Sequence, residues 1–140
     1  MGRIVGIDFG LARFGLAISD EKKIIATPLK TLPASRNPAH TAQKIAEALA
    51  SYKNIESIVI GLPLLLNGKE GEMASKVRAF AEILKTHLPY PIFFWDERLT
   101  SAGVEKMLVG FDVSRKKRAA LSDSLSAISI LQNYLDSLRC

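Results

Sequence analysis

Only one cysteine, Cys140, occurs among the 140 residues, so no internal disulfide can form and a cysteine-built metal centre is excluded. Histidine is almost as scarce. His40 and His87 are the only two, both lie outside the motifs below, and we expect surface or packing roles for them. Long apolar runs are also missing: the stretch 58–66 is interrupted by Gly61 and Pro63 and falls short of the roughly 20 residues that span a bilayer. Met-Gly-Arg opens the chain, and the short apolar run after it is broken by Gly6 and Asp8, unlike an export signal. No Ser/Gly-rich linker, internal repeat or low-complexity tract divides the sequence. These absences lead us to expect a soluble, cytoplasmic protein without membrane contact, folded as one domain over residues 1–140, with a core drawn from a hydrophobic fraction of 48%.

Positive charge is in excess. Lys and Arg total 19 against 14 acids, a net charge of +5, which favours anionic partners without proving one. The excess is uneven: Arg115-Lys116-Lys117-Arg118 places four cations in a row beside a stretch expected to start a helix. Cations at a helix N-terminus oppose the helix dipole, so phosphate contact would account for them better than stability does, and a solvated linker between two helices is the rival explanation.

Periodicity predicts strands over 3–9, 14–19 and 23–31, joined by turns at 10–13 and 20–22. A proline-bearing loop at 33–38 follows, then a helix over 39–52, a buried strand over 57–62, a helix over 70–88 and a buried strand over 91–95. A short helix over 100–109 and a last helix over 122–138, with Ser122 as its cap, complete the order βββαβαβαα. An antiparallel three-strand meander followed by crossover units implies an α/β fold: one mixed five-stranded sheet with helices on both faces.

Five features could carry chemistry. Gly6-Ile7-Asp8-Phe9-Gly10, followed by Arg13 and Gly15, sets an acid in an apolar strand, where it needs a cation, a metal or a solvated cleft; an ion pair with Arg13 is one explanation. Asp96-Glu97-Arg98 lies at the C-terminal end of a predicted strand, where open α/β sheets bind ligands. Neighbouring strand residues face opposite ways, so only one of Asp96 and Glu97 is expected to be a principal ligand. Asp123 falls in the expected first turn of the last helix, where the dipole alone would favour an acid. Gly61-Leu62-Pro63 with Asn67-Gly68-Lys69-Glu70-Gly71 forms a strand–helix connection that could present amides or Lys69 to a phosphate, although turn formation explains it as well. The basic run 115–118 is the fifth.

In this order the motifs resemble the YqgF family of ribonuclease H-like proteins, described provisionally as pre-16S rRNA nucleases and as Holliday-junction-resolvase-like enzymes. The likeness spans nearly the whole chain. It rests on the Gly-Ile-Asp hairpin through Arg13 and Gly15, Gly61-Leu62-Pro63 with Asn67-Gly68 and Gly71, Asp96-Glu97-Arg98-Leu99, and Asp123 followed by Ala127, Ile130-Leu131-Gln132 and Tyr134-Leu135. Ser122 and Ser126, on either side of the final acid, depart from a stretch often small and apolar in that family. The resemblance implies a ribonuclease H-like fold and catalytic, metal-binding acids at Asp8, Glu97 and Asp123. It also implies support from Arg13, Arg98 and the Gly61 loop, and we add Lys69, Arg115, Lys116, Lys117 and Arg118 as substrate contacts.

Oxygen ligands suit Mg²⁺ or Mn²⁺. The implied activity is metal-dependent endonucleolytic cleavage of structured nucleic acid, with RNA, and precursor 16S rRNA in particular, placed ahead of DNA; for the oligomeric state, which the sequence does not encode legibly, our own expectation is a monomer. Three alternatives stay open: a Holliday-junction-type resolvase, a noncatalytic nucleic-acid-binding module, and a nucleotide-dependent phosphotransferase of the actin-like kind. The last is disfavoured by length, since such folds pair two domains around the nucleotide.

Overall fold

A computed structural model describes residues 2–97 and 115–139, with side chains described for 2–97 and 125–139. Strand β1 (Arg3–Asp8) pairs antiparallel with β2 (Arg13–Ser19), and β2 carries two short edge pieces, β3 (Ala26–Pro28) and β4 (Leu32–Pro33). Helix α1 (Pro38–Leu49) leads to β5 (Ile55–Leu62), which lies parallel beside β1, and α2 (Glu72–Lys85) leads to β6 (Ile92–Asp96), parallel beside β5. The sheet order is β3-β2-β1-β5-β6, with β4 paired to β2 off that path. Helix α3 (Arg115–Leu138) follows. The expected mixed sheet with a meander and parallel strands is therefore present. The expected helix over 100–109 lies outside the described residues.

Each element follows from its local sequence. Asn37 caps α1, its Oδ1 accepting a hydrogen bond from the Ala39 amide at 3.0 Å, and Pro38 occupies the first turn, where a missing N–H costs nothing. The buried side chains of α1 are Thr41, Ala42, Ile45 and Leu49, and those of α2 are Ala74, Val77, Phe80, Ala81 and Leu84, both at helical spacing. These stripes cover one face of the sheet, meeting Val5, Ile7, Phe14, Leu16, Ile58, Ile60 and Leu62. The opposite face is covered by α3, whose Ala127, Ile130, Leu131 and Leu135 are buried against Ile4, Ala17 and Val59. Burying each of the three larger residues on this helix contributes about 1.5–3 kcal/mol.

Two expected elements differ from the structure. The strand expected over 23–31 is only Ala26–Pro28, with Leu32–Pro33 forming a separate bridge to β2. Asp20 draws the preceding residues into a turn instead, its Oδ1 accepting from the Ile24 and Ile25 amides at 2.8 and 2.9 Å, while Pro28 and Pro33 lack the N–H that a longer ladder needs. The last helix starts earlier than 122, since residues 115–121 are already helical. Asp123 thus lies in the third turn of α3 rather than its first, and the basic run is helical backbone rather than linker. The macrodipole argument for Asp123 accordingly lapses, because that effect fades beyond the first turn.

Seating α3 on the sheet depends on Gly6. A Cβ at this position would lie 2.7 Å from Leu131 Cβ and 3.1 Å from the Ala127 carbonyl oxygen. Gly6→Ala should therefore push α3 outward and lower stability by about 1–3 kcal/mol, as overpacking does. Urea unfolding measures this, and a variant as stable as the parent would contradict the close approach of helix and strand.

Candidate active site

Side-chain alternation along β1 buries Val5 and Ile7 under α1 and α2 and turns Ile4 and Gly6 toward α3. Asp8, the last residue of β1, continues the Ile4–Gly6 series and is half-buried. In β6, Trp95 packs with the α3 cluster while Phe94 packs on the other side, so Glu97, two residues past Trp95, returns to the α3 face. The side chains of Asp8 and Glu97 meet in a hydrogen bond. This is the C-terminal end of the parallel strands β1, β5 and β6, where an α/β sheet leaves a crevice for a ligand.

Between these two strands runs β5, and it makes room for Glu97 through Gly61, which pairs with Trp95. A Cβ on Gly61 would stand 2.6 Å from Glu97 Cγ and 2.6 Å from Ile130 Cδ1. Gly61 is therefore a strand residue, as expected from the predicted strand over 57–62, and it lies under the Glu97 side chain. Pro63 does end the strand as expected, and the loop's own glycine requirement falls at Gly68, with φ 84°.

Burial is the largest influence on the Glu97 carboxyl and raises its pKa; the Asp8 hydrogen bond opposes this, and the nearby charge of Asp96 adds to the rise. Two carboxyls that hydrogen-bond to each other must share a proton unless a cation takes its place. An all-oxygen pair of this kind suits a hard divalent cation. Asp96 ends β6 on the α1–α2 side and acts on Glu97 through its charge.

Of the other expected site residues, Arg13 is exposed at the start of β2, and Lys69 is exposed in the loop beyond β5. Asp123 lies in the α3 backbone one turn before Ala127, toward the Asp8 end of the sheet, since Ala127 and Leu131 adjoin Gly6. Its side chain, those of Arg115, Lys116, Lys117 and Arg118, and the whole of Arg98 lie outside the described residues. Among the described residues no three acids, histidines or cysteines group as a metal site. His40 and His87 are both exposed, as expected.

One residue quoted only as part of a motif has a definite task. Gln132 ties α3 to the edge of the sheet, accepting from the Ala26 amide at 3.0 Å and donating to the Ile24 carbonyl at 2.8 Å. No periodicity signals this, because the partners are more than 100 residues away in sequence.

A carboxyl with a raised pKa in the fold is a source of stability while it is protonated. That stability is complete below the ordinary glutamate range and is lost as pH rises through the raised value. Glu97→Gln stays neutral at nearly the same volume. Without divalent metal, its urea midpoint should overtake that of the parent as pH rises from acid to neutral; parallel profiles would contradict a buried Glu97 carboxyl.

The sequence profile of the family described as "RuvX: Holliday junction resolvase" matches residues 2–137. A relative from Protochlamydia amoebophila (strain UWE25) is 47% identical over 99% of this chain and 95% of its own, and one from Bacillus subtilis (strain 168) is 39% identical over 97% and 99%; both carry the provisional description pre-16S rRNA nuclease. Among solved structures, Thermus thermophilus RuvC in complex with Holliday junction substrate has a TM-score of 0.60 at 18% identity, covering 99% of this chain and 96% of that one. The fowlpox virus Holliday junction resolvase has 0.60 at 13%, covering 97% and 99%. At those identities the likeness concerns the fold, which is the RuvC-like ribonuclease H fold. With a family match over almost its full length, the chain belongs to the RuvX family.

Proposed function

We propose that this protein is a divalent-metal-dependent endonuclease that hydrolyses phosphodiester bonds in structured nucleic acid, with precursor 16S rRNA as its substrate. The observation that carries this reading is the Asp8–Glu97 carboxyl pair at the C-terminal end of the parallel strands, seated against Gly61 on the face that α3 covers. Asp123, one turn before Ala127 in α3, is the third acid in this reading. The preference for RNA rests on the description of the relatives from Protochlamydia amoebophila and Bacillus subtilis. Branched DNA is the second substrate class, favoured by the description of the family. Every acid invoked belongs to one chain, so a monomer suffices, and a cytoplasmic setting fits this substrate.

Asp8, Glu97 and Asp123 would hold Mg²⁺ or Mn²⁺ through carboxylate oxygens, and the bound metal would supply an activated water and charge stabilisation for the departing 3′ oxygen. The protein's part is to set the donors. Gly61 lets the Glu97 carboxyl lie flat against β5, and the hydrogen bond to Asp8 fixes the two oxygens relative to each other. Burial that disfavours a charged Glu97 also strengthens its attraction for a cation, because fewer waters compete. Arg13, Lys69, Arg98 and the run Arg115, Lys116, Lys117 and Arg118 would contact phosphates on either side of the cleaved bond.

Incubating the protein in Mg²⁺ or Mn²⁺ with precursor 16S rRNA, other structured RNA and branched DNA tests this reading. Asp8→Asn, Glu97→Gln and Asp123→Asn, each confirmed folded, should lower the cleavage rate on the order of 100-fold or more, the scale for removing one preorganised electrostatic partner. Gly61→Ala should slow cleavage while leaving all three acids in place, and a chelator should abolish it. Equal cleavage by the acid variants, or none of any substrate by the parent, would overturn the nuclease assignment.

Binding offers a separate check on the cations. Replacing Arg115, Lys116, Lys117 and Arg118 together by Gln should flatten the slope of log K against log salt by roughly 0.7–0.9 for each phosphate that is no longer neutralised. An unchanged slope would remove this run from the interface.

A further inference from the structure

Beyond β5 the chain forms a short hairpin that ends in an exposed leucine. Leu64 bridges to Glu70, the Leu65 amide donates to the Lys69 carbonyl at 2.8 Å, and the Gly68 amide donates to the Leu65 carbonyl at 2.8 Å. Asn67 Oδ1 accepts from the Lys69 amide at 2.9 Å, and Gly68 takes the positive φ that closes the turn. The base is fastened to the body: Arg78 Nη2 donates to Glu70 Oε2 at 2.8 Å while its guanidinium lies 4.7 Å from the centre of the Phe94 ring. Leu64 packs on the core and Leu65 leans on Gly71, but Leu66 is 97% exposed.

A fully exposed leucine on a rigid, internally hydrogen-bonded support is an unusual use of an apolar side chain, since it gains nothing from burial in the free protein. Its location gives it meaning. The hairpin rises from the end of β5, between the strands that carry Asp8 and Glu97, and Lys69 stands beside it. Leu11, 67% exposed in the turn after β1, is a second apolar residue at the same end. A single knob covers too little area to hold a protein partner, which needs about 800 Å² per side. It is well sized to enter a base step, where leucine side chains act as wedges and a neighbouring cation meets the phosphate.

We propose that Leu66 is a wedge that parts stacked bases beside the cleaved phosphodiester, with the 64–70 hairpin as its mount and Lys69 on the adjoining phosphate. The proposal rests on the nuclease reading for where the strand lies. The wedge lets the enzyme act on stacked, structured substrates by opening the backbone at the carboxylate pair, and it becomes dispensable where the bases are already apart.

Two measurements on the full chain test it, using Leu66→Ser and Leu66→Met confirmed folded by thermal melting. In the first, kcat/KM is measured on a stacked structured RNA and on the same RNA with an abasic nucleotide next to the mapped cleavage position. Leu66→Ser should lose on the order of tenfold on the stacked RNA, within the energy range of unstacking one step, and less than about twofold on the abasic one, while Leu66→Met stays close to the parent on both. Equal losses on both RNAs would make Leu66 a simple contact, and no loss on either would point to another use such as a protein partner; each result overturns the wedge. In the second, 2-aminopurine replaces the base at that step and its fluorescence is followed on binding to Asp8→Asn protein, with the stem–loop positions scanned in turn if no cleavage has been found to map. A rise that Leu66→Ser abolishes supports the wedge even if no substrate is cut, so failure of the nuclease reading remains distinguishable; the absence of any rise overturns it.

Discussion

Everything at the candidate site depends on how closely α3 lies on the sheet. A helix normally rests on a layer of side chains, but here its Ala127–Leu131 turn reaches the β1 backbone at Gly6, and Ile130 reaches β5 at Gly61. Two positions without a Cβ, on adjacent strands of one face, lower the helix into contact. Leu135, Leu131, Ile130 and Ala127 then hold it by burial, and Gln132 fixes its rotation through two hydrogen bonds to the β3 edge. Once that stripe is pinned, the turn before Ala127 has little freedom, and Asp123 belongs to that turn. The same close fit that stabilises the fold thus bears on the backbone position of Asp123.

Electrostatics pulls the other way. Asp8, Glu97 and the neighbouring Asp96 bring negative charge to one strand end, and burial makes a charged Glu97 costly. The opposite face offsets such a cost with packing of its own: Phe9, Phe14 and Phe80 form a tight aromatic group, with centroids 4.8–5.7 Å apart, directly beneath the β1–β2 turn that follows Asp8. This aromatic floor backs the turn from the far face, so the acidic strand end is supported by packing as well as by its own contacts.

Sequence patterns gave the sheet and its helices well because each has a strong period: alternating or continuous apolar strands, and stripes such as Thr41–Ala42–Ile45–Leu49. They also pointed to Asp8 and Glu97, acids at the ends of apolar strands, whose side chains hydrogen-bond to each other in the fold. Other features were hidden for identifiable reasons. The strand over 23–31 read as β because Ile24 and Ile25 are β-branched, but the Asp20 side chain captured both amides. Gly61 falls inside the strand expected over 57–62, but nothing local signals that it leaves space for a side chain 36 positions later in sequence. Gln132 is invisible to periodicity for the same reason: its partners are distant in the chain. The start of α3 was misplaced because Ser122 imitates a cap, although residues 115–121 continue the helix on its N-terminal side.

The two ends of the sheet present different groups. A cavity of about 580 Å³ opens at the opposite end, lined by Lys22, Lys23, Glu56, Phe93, Tyr134 and Arg139 among others. Its charges are largely satisfied internally: Lys23 Nζ lies 2.7 Å from Glu56 Oε1, and Arg139 pairs with Asp136 while donating to the Lys23 carbonyl at 3.2 Å. Groups that have already found partners have little left to offer a ligand. At the C-terminal end Asp8 and Glu97 hydrogen-bond to each other, burial raises the Glu97 pKa, and the side chains of Lys69 and Leu66 are exposed. The proposed nuclease reading rests on this gathering of acids at the C-terminal ends of parallel strands rather than on cavity size.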